Sequence, residues 1–339
     1  MNDKLIVTPD ENLIAELSKE FKKAEHRHDT LHVDGHIDLS YYMINRAPEE
    51  KFNNLDHGPV TPRTLKESGV RLFATAIHCQ DIYNGDKALS HFQRNLDFTK
   101  KILENVIQVK NKADILEISS NKDPFGTIFL LKNGDVLANN FSLIQSLRDT
   151  GIYTVGLTNT GTNQLADGNA VLHSEGITPE GRDVVRGLLE NNILIDVAHL
   201  HSSCFWKLMN LVEMPCVASH AGIMERCSIP GNLDLEQVRQ IVERKGLVGI
   251  TFNPEMLSMG GKAGAEDIFI HIDTVVQKFG PDFTALGSGL CGFDKFTEEM
   301  ENLTGIKNLE KIMVNHGYKR EDMEKILGLN WLRIYEGLL

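Results

Sequence analysis

Eight short apolar, β-branched runs recur along the chain, each separated from the next by a polar, amphipathic stretch. They are Leu31–Ile37, Val70–Ile77, Thr127–Leu131, Ile152–Leu157, Ile193–Ala198, Pro215–Ser219, Leu247–Phe252 and Phe283–Leu286. Runs of this length with no regular polar alternation suit strands covered on both faces, as a parallel sheet requires. The stretches between them read as helices. Ser90–Glu117 sets Phe92, Leu96, Ile102, Leu103, Val106 and Val109 at roughly helical spacing and predicts one long helix. Thr178 followed by Pro179 is an N-cap with proline in the first turn, and Leu233–Arg244 begins with an acidic turn that complements the helix dipole.

Eight strand–helix units in 339 residues predict an α/β fold, a (β/α)8 barrel of the TIM type. An open doubly wound sheet is the competing architecture, and no Walker phosphate loop supports it. Residues 1–30 read as an N-terminal helical extension, with its helix over Glu11–Ala24, and residues 31–339 as a single barrel domain. Asn308–His316 and Arg320–Gly337 read as closing helices.

Charge narrows the partners. Lys plus Arg number 35 against 47 Asp plus Glu, a formal net charge of −12, which excludes the basic footprint of a nucleic-acid-binding protein. The five cysteines, Cys79, Cys204, Cys216, Cys227 and Cys291, are widely spaced with no CxxC pair, the usage of a reduced, cytoplasmic protein. No apolar run approaches the roughly 20 residues of a membrane span, and neither terminus carries a signal or lipid-anchor pattern, so no membrane partner is expected.

In such a barrel the chemistry gathers at the C-terminal ends of the strands. The first run ends Val33-Asp-Gly-His36-Ile-Asp38, and its i, i+2 spacing aims His36 and Asp38 to one side. The fifth run ends in His199 and the sixth in His220. Three histidines and a carboxylate at three strand ends form a ligand inventory suited to Zn²⁺ or a similar divalent ion. Other histidines, such as His26, His28, His57 and His316, read as surface or loop residues.

Several segments together resemble the membrane dipeptidase family (renal dipeptidase, peptidase M19) of the amidohydrolase-like barrels. They are Asp34-Gly-His-Ile-Asp-Leu, Gly176-Ile-Thr-Pro-Glu-Gly, Ile195-Asp-Val-Ala-His-Leu, Pro215-Cys-Val-Ala-Ser-His, Cys227 through Asn232, and Asn330-Trp-Leu-Arg-Ile-Tyr-Glu. The likeness runs from about Val33 to Tyr335. It implies a metal-dependent hydrolase of dipeptide or amide bonds, using a metal-activated water on a small peptide-like substrate, and a homodimer. It also implies His36, Asp38, His199 and His220 as metal ligands. The family's bridging Glu falls on Lys132, its substrate-contacting His on Asn159, and its carboxylate-binding Arg near Pro230-Gly231. The family's eighth-strand Gly-Ser-Asp-Phe-Asp-Gly reads Gly287-Ser-Gly-Leu-Cys-Gly292, which places Cys291 at a carboxylate position.

The altered positions leave three arrangements open. Lys132 carboxylated by CO₂ would restore a bridging anion. Alternatively, His36, Asp38 and His199, with or without His220 and with Cys291 nearby, would hold a single ion. In the third, Lys132 itself fills the place of one metal in a catalytically inactive barrel that binds a small ligand or a partner protein. Two residues have plainer readings: Asp135 would supply the carboxylate if the register slips, and Cys291 would be a small buried hydrophobe.

Overall fold

A computed structural model describes residues 31–120 and 125–339. The helix expected over Glu11–Ala24 lies outside the described residues. Each of the eight apolar runs forms a strand, and the strands pair in parallel: β1 (His32–Ile37), β2 (Val70–His78), β4 (Gly126–Lys132), β5 (Ile152–Gly156), β6 (Leu194–Asp196), β7 (Cys216–Ala221), β8 (Leu247–Ile250) and β9 (Thr284–Leu286). Their order is β2-β1-β9-β8-β7-β6-β5-β4, and pairing of β2 with β4 closes the ring. The result is the (β/α)8 barrel the alternation predicts.

The remaining strand, β3 (Ile107–Gln108), pairs only with β4, outside the ring. It corrects one expectation. Ser90–Glu117 is not one helix: a helix over Ala88–Ile102 ends, β3 intervenes, and a second helix covers Lys112–Ser120. The apolar spacing continued past Ile102, but Val106, Ile107 and Val109 are β-branched and fit a pleated edge better than a helix. The Ile107 N–H donates to the Phe125 carbonyl and the Val109 N–H to that of Thr127.

The other helices follow their punctuation. Thr178 accepts from the Gly181 N–H at the head of Pro179–Glu190, and Asp234 caps Leu235–Glu243 with a reciprocal bond from Gln237. Closing helices occupy Ile306–Asn315 and, after a short helix and a π turn, Asn330–Glu336. Gly287 through Gly292 spells G-x-G-x-x-G, yet no helix opens there, so the string is not a dinucleotide loop.

Side-chain alternation divides the core. Leu72, Ala74 and Ala76 of β2 and Ile128 and Leu130 of β4 join one apolar cluster with Trp331, whereas Phe73, Ile77, Phe129 and Leu131 join the cluster beneath the helices. Trp331 lies so close under β1 that a Cβ at Gly35 would fall 2.0 Å from its ring, and its indole N–H donates to the Leu286 carbonyl at 2.7 Å. Tyr335 stacks on that indole at 5.4 Å. This C-terminal helix floors the barrel, and the polar side chains gather at the opposite end.

Candidate functional site

The β2–β4 register sets His78 and Lys132 side by side as the last residues of their strands. They share the parity of Ala76 and Leu130, whose side chains pack with the Trp331 cluster, so both turn inward at the rim. Asp38, just past β1, meets them there. The Lys132 Nζ lies 3.0 Å from Asp38 Oδ2 and 3.3 Å from Oδ1. His36 Nε2 is 3.4 Å from Oδ2 and His78 Nδ1 3.3 Å from Oδ1. All four residues are largely buried. Burial alone would raise the Asp38 carboxyl, but the charge of Lys132, with His36 and His78, holds it well below the usual carboxylate range.

A second group sits across the mouth. His199 follows β6 with its backbone in the left-handed region, φ +63°, and its Nε2 lies 2.9 Å from Nε2 of His220 on β7. Burial first, then the neighbouring charges of Lys132 and His36, hold His199 well below the ordinary histidine value. Burial, His36 and His199 do the same to His220. Both are therefore neutral imidazoles near pH 7. Ser219 joins the two groups: its Oγ lies 2.8 Å from His36 Nδ1 and 3.0 Å from His220 Nδ1. The His36 and His220 rings lie 3.7 Å apart. His36 Nε2 is buried and makes no hydrogen bond.

The fold thus assembles five of the residues singled out by sequence: His36, Asp38, Lys132, His199 and His220. The other two are less engaged. Among the described residues, no hydrogen bond joins Asn159, half-buried in the loop after β5, to this cluster. Cys291 is adjacent, since the Asp38 N–H donates to the Leu290 carbonyl, and it faces a cavity of about 640 Å³ shared with Tyr41, Tyr42, Arg46 and Phe293. Burial and then the Asp38 and Asp34 charges push its thiol well up, so it is present as the thiol.

Lys132, and not Asp135, faces the cluster. Asp135 is tied instead to the Gly85 N–H at 2.6 Å and the Gln164 N–H at 2.8 Å. Pro230 and Gly231 border a smaller cavity of about 90 Å³ beside His199 and His201. His78 and Ser219 escaped the sequence reading. His78 lay one residue beyond its apolar run, and Ser219 carried no signal other than standing beside His220.

The residue types of the cluster suggest a two-metal centre, and its geometry does not supply one. Among the described residues, no three His, Cys, Asp or Glu side chains stand in metal-ligating geometry. An ammonium lies on the only carboxylate of the cluster, where a pair of cations would need a bridging anion. A two-ion centre does not fit. The nearest approach to a donor set for a single ion is the pair of neutral imidazoles of His199 and His220, whose Nε2 atoms lie 2.9 Å apart, with His36 Nε2 close by and 3.4 Å from Asp38 Oδ2.

Comparison with known proteins agrees with the fold. The profile of the membrane dipeptidase family (peptidase family M19) matches residues 22–338. The dipeptidase tcpJ of Claviceps purpurea is 21% identical over 304 residues, which is 88% of this chain and 68% of that protein. An uncharacterised protein from the pqqA 5′ region of Klebsiella pneumoniae is 29% identical over 167 residues, 48% of this chain, and the match spans only 61% of that relative's length. Among solved structures, dipeptidase AC, a metallo peptidase of family M19, superposes with a TM-score of 0.84 at 19% identity, over 92% of this chain and 99% of the other. A metallo peptidase from Rhodobacter sphaeroides, liganded with a phosphinate mimic of the dipeptide L-Ala-D-Ala, gives 0.80 at 19% identity, over 92% and 100%.

Proposed function

From the premise that the chain belongs to the membrane dipeptidase family, peptidase family M19, we propose that it hydrolyses a small peptide-like amide bond with the help of one divalent ion at the His199–His220 side of the mouth. The observation that carries this reading is the pair of buried neutral imidazoles whose Nε2 atoms lie 2.9 Å apart, beside His36, whose Nε2 is 3.4 Å from Asp38 Oδ2. Nitrogen donors of this kind suit zinc. When bound, such an ion supplies Lewis acidity for activating water and polarising the amide carbonyl.

The chain's own residues do the rest. Burial keeps His199 and His220 neutral near neutral pH, so that a bound ion has only to displace the single hydrogen shared by their Nε2 atoms. Ser219, placed between His36 and His220, fixes both rings through their Nδ1 atoms and directs both Nε2 atoms into the mouth. The 640 Å³ cavity beside Cys291 offers Tyr41, Tyr42 and Phe293 to a substrate side chain. No cation stands at Pro230 or Gly231, so the preferred substrate differs from a free dipeptide held there by its carboxylate.

The test is turnover of a panel of dipeptides, blocked dipeptides and simple amides with Zn²⁺, Mn²⁺ or Co²⁺, alongside elemental analysis. Turnover that disappears in His199→Ala supports the reading. Less than about half an equivalent of bound metal would sink it. One observation favours a second reading, a ligand-binding barrel without turnover: the cluster's single carboxylate is already neutralised by Lys132. Binding of a panel member without hydrolysis in any metal would establish it.

A further inference from the structure

Asp38 is buried, yet it is not short of positive charge. Its Oδ2 meets Lys132 at 3.0 Å and His36 at 3.4 Å, and its Oδ1 meets Lys132 at 3.3 Å and His78 at 3.3 Å. A buried carboxylate requires a compensating cation, and here a side chain of the same chain provides it. Space is short as well. The Gly292 backbone lies so close to Asp38 that a Cβ at this glycine would fall 2.2 Å from Oδ2. The carboxylate is enclosed by three side-chain nitrogens and a backbone turn.

We propose that Lys132 is a resident cation at the barrel mouth, standing where a divalent ion would otherwise rest on Asp38, so that the protein binds at most one divalent ion and Asp38 is not a ligand to it. The ammonium matches the sign of a metal ion and supplies hydrogen-bond donors to both carboxylate oxygens, but it offers no Lewis acidity and no exchangeable coordination site. The exclusion is electrostatic. A second divalent ion at Asp38 would approach a buried ammonium about 3 Å from its own ligand, where low dielectric magnifies repulsion. The proposal does not depend on turnover, because it concerns how many ions the mouth can hold.

The experiment is metal stoichiometry of the whole chain by equilibrium dialysis against Zn²⁺ and elemental analysis, with thermal unfolding followed in parallel. Wild type should bind no more than one equivalent. Lys132→Glu, which replaces the ammonium by a carboxylate beside Asp38, should bind one equivalent more than wild type and should gain more thermal stability from zinc than wild type does. Should Lys132→Glu not fold, Lys132→Met decides: it leaves Asp38 without its closest cation, and added zinc should raise its Tm more than that of wild type. Two equivalents on wild type would overturn the proposal. A second equivalent that appears only with bicarbonate, together with a carbamate resonance from isotopically labelled bicarbonate, would overturn it in favour of a carboxylated Lys132. Unchanged stoichiometry and unchanged zinc response in the folded variants would also overturn it. If wild type binds zinc but hydrolyses nothing, the functional proposal fails and this measurement still decides the role of Lys132.

Discussion

On the β1–β2–β4 side of the mouth, His36 and His78 face a carboxylate and an ammonium, while on the β6–β7 side His199 and His220 face each other. Both sides use buried imidazoles at strand ends, but their charge is balanced differently. The first side is complete in itself: one negative and one positive group are in contact and neutralise each other. The second contains no formal charge, only two neutral imidazoles that share one hydrogen between their Nε2 atoms. A further cation is therefore redundant on the first side, and the ion of the proposed function belongs to the second. Residue type alone does not separate the two; the position of a single lysine does.

That contrast can be broken by removing one partner at a time. The largest effect belongs to Asp38→Ala, which leaves the Lys132 ammonium buried with nothing to neutralise it. Urea unfolding should show a loss of about 3–5 kcal/mol, and a loss under about 1 kcal/mol would mean that the ion pair is not the organising contact on this side. Ser219→Ala comes next. It strips the shared Nδ1 partner from His36 and His220 and should cost about 1–3 kcal/mol of stability, together with a fall of about 10–100-fold in zinc affinity measured by competition with a chromogenic chelator.

The third prediction uses pH. The folded-state values of His199 and His220 lie below the unfolded value near 6.5, so between the two the unfolded chain binds more protons than the folded one. Their stability contribution is present above about pH 6.5 and is lost as pH falls below it, by up to about 1.4 kcal/mol per pH unit for each group. A double His199→Gln, His220→Gln variant should show a shallower decline of unfolding free energy between about pH 6.5 and 5 than wild type. Parallel curves would show that these histidines are not held neutral. The smallest effect is kinetic: iodoacetamide should label Cys291 in the folded protein far more slowly than in urea, because its thiol is buried and pushed up. Equal rates would place that thiol in solvent.

What could be read from sequence divides along the same physical lines. The eight apolar runs were legible because a strand buried on both faces leaves its mark in every residue it contains. β3 was not, since two residues at an edge carry too little pattern to interrupt a helical spacing. His36, Asp38, His199 and His220 announced themselves by standing at strand ends, and Lys132 by lying where a carboxylate was expected. The salt bridge between Lys132 and Asp38 joins the end of β4 to the residue after β1, a sequence separation of 94, and it depends on the inward parity at the rim rather than on any local motif. His78 belongs to the same class. Its role follows from the pairing of its strand end with that of Lys132, and no run of residues encodes a register between two distant strands.

Closure of the barrel also carries a consequence for how the molecule is made. β1 is among the first described segments to leave a ribosome, but one of its two sheet neighbours, β9, is the last strand, and the Ser288 N–H that caps Asp34 lies 254 residues downstream. Trp331, the residue beneath Gly35, arrives later still. For most of translation β1 therefore exposes an unpaired apolar edge, the kind of surface that invites association between nascent chains. The ring cannot be sealed piece by piece. Its production in the cell should respond sharply to the supply of chaperones that shield such edges, long before any question of catalysis arises.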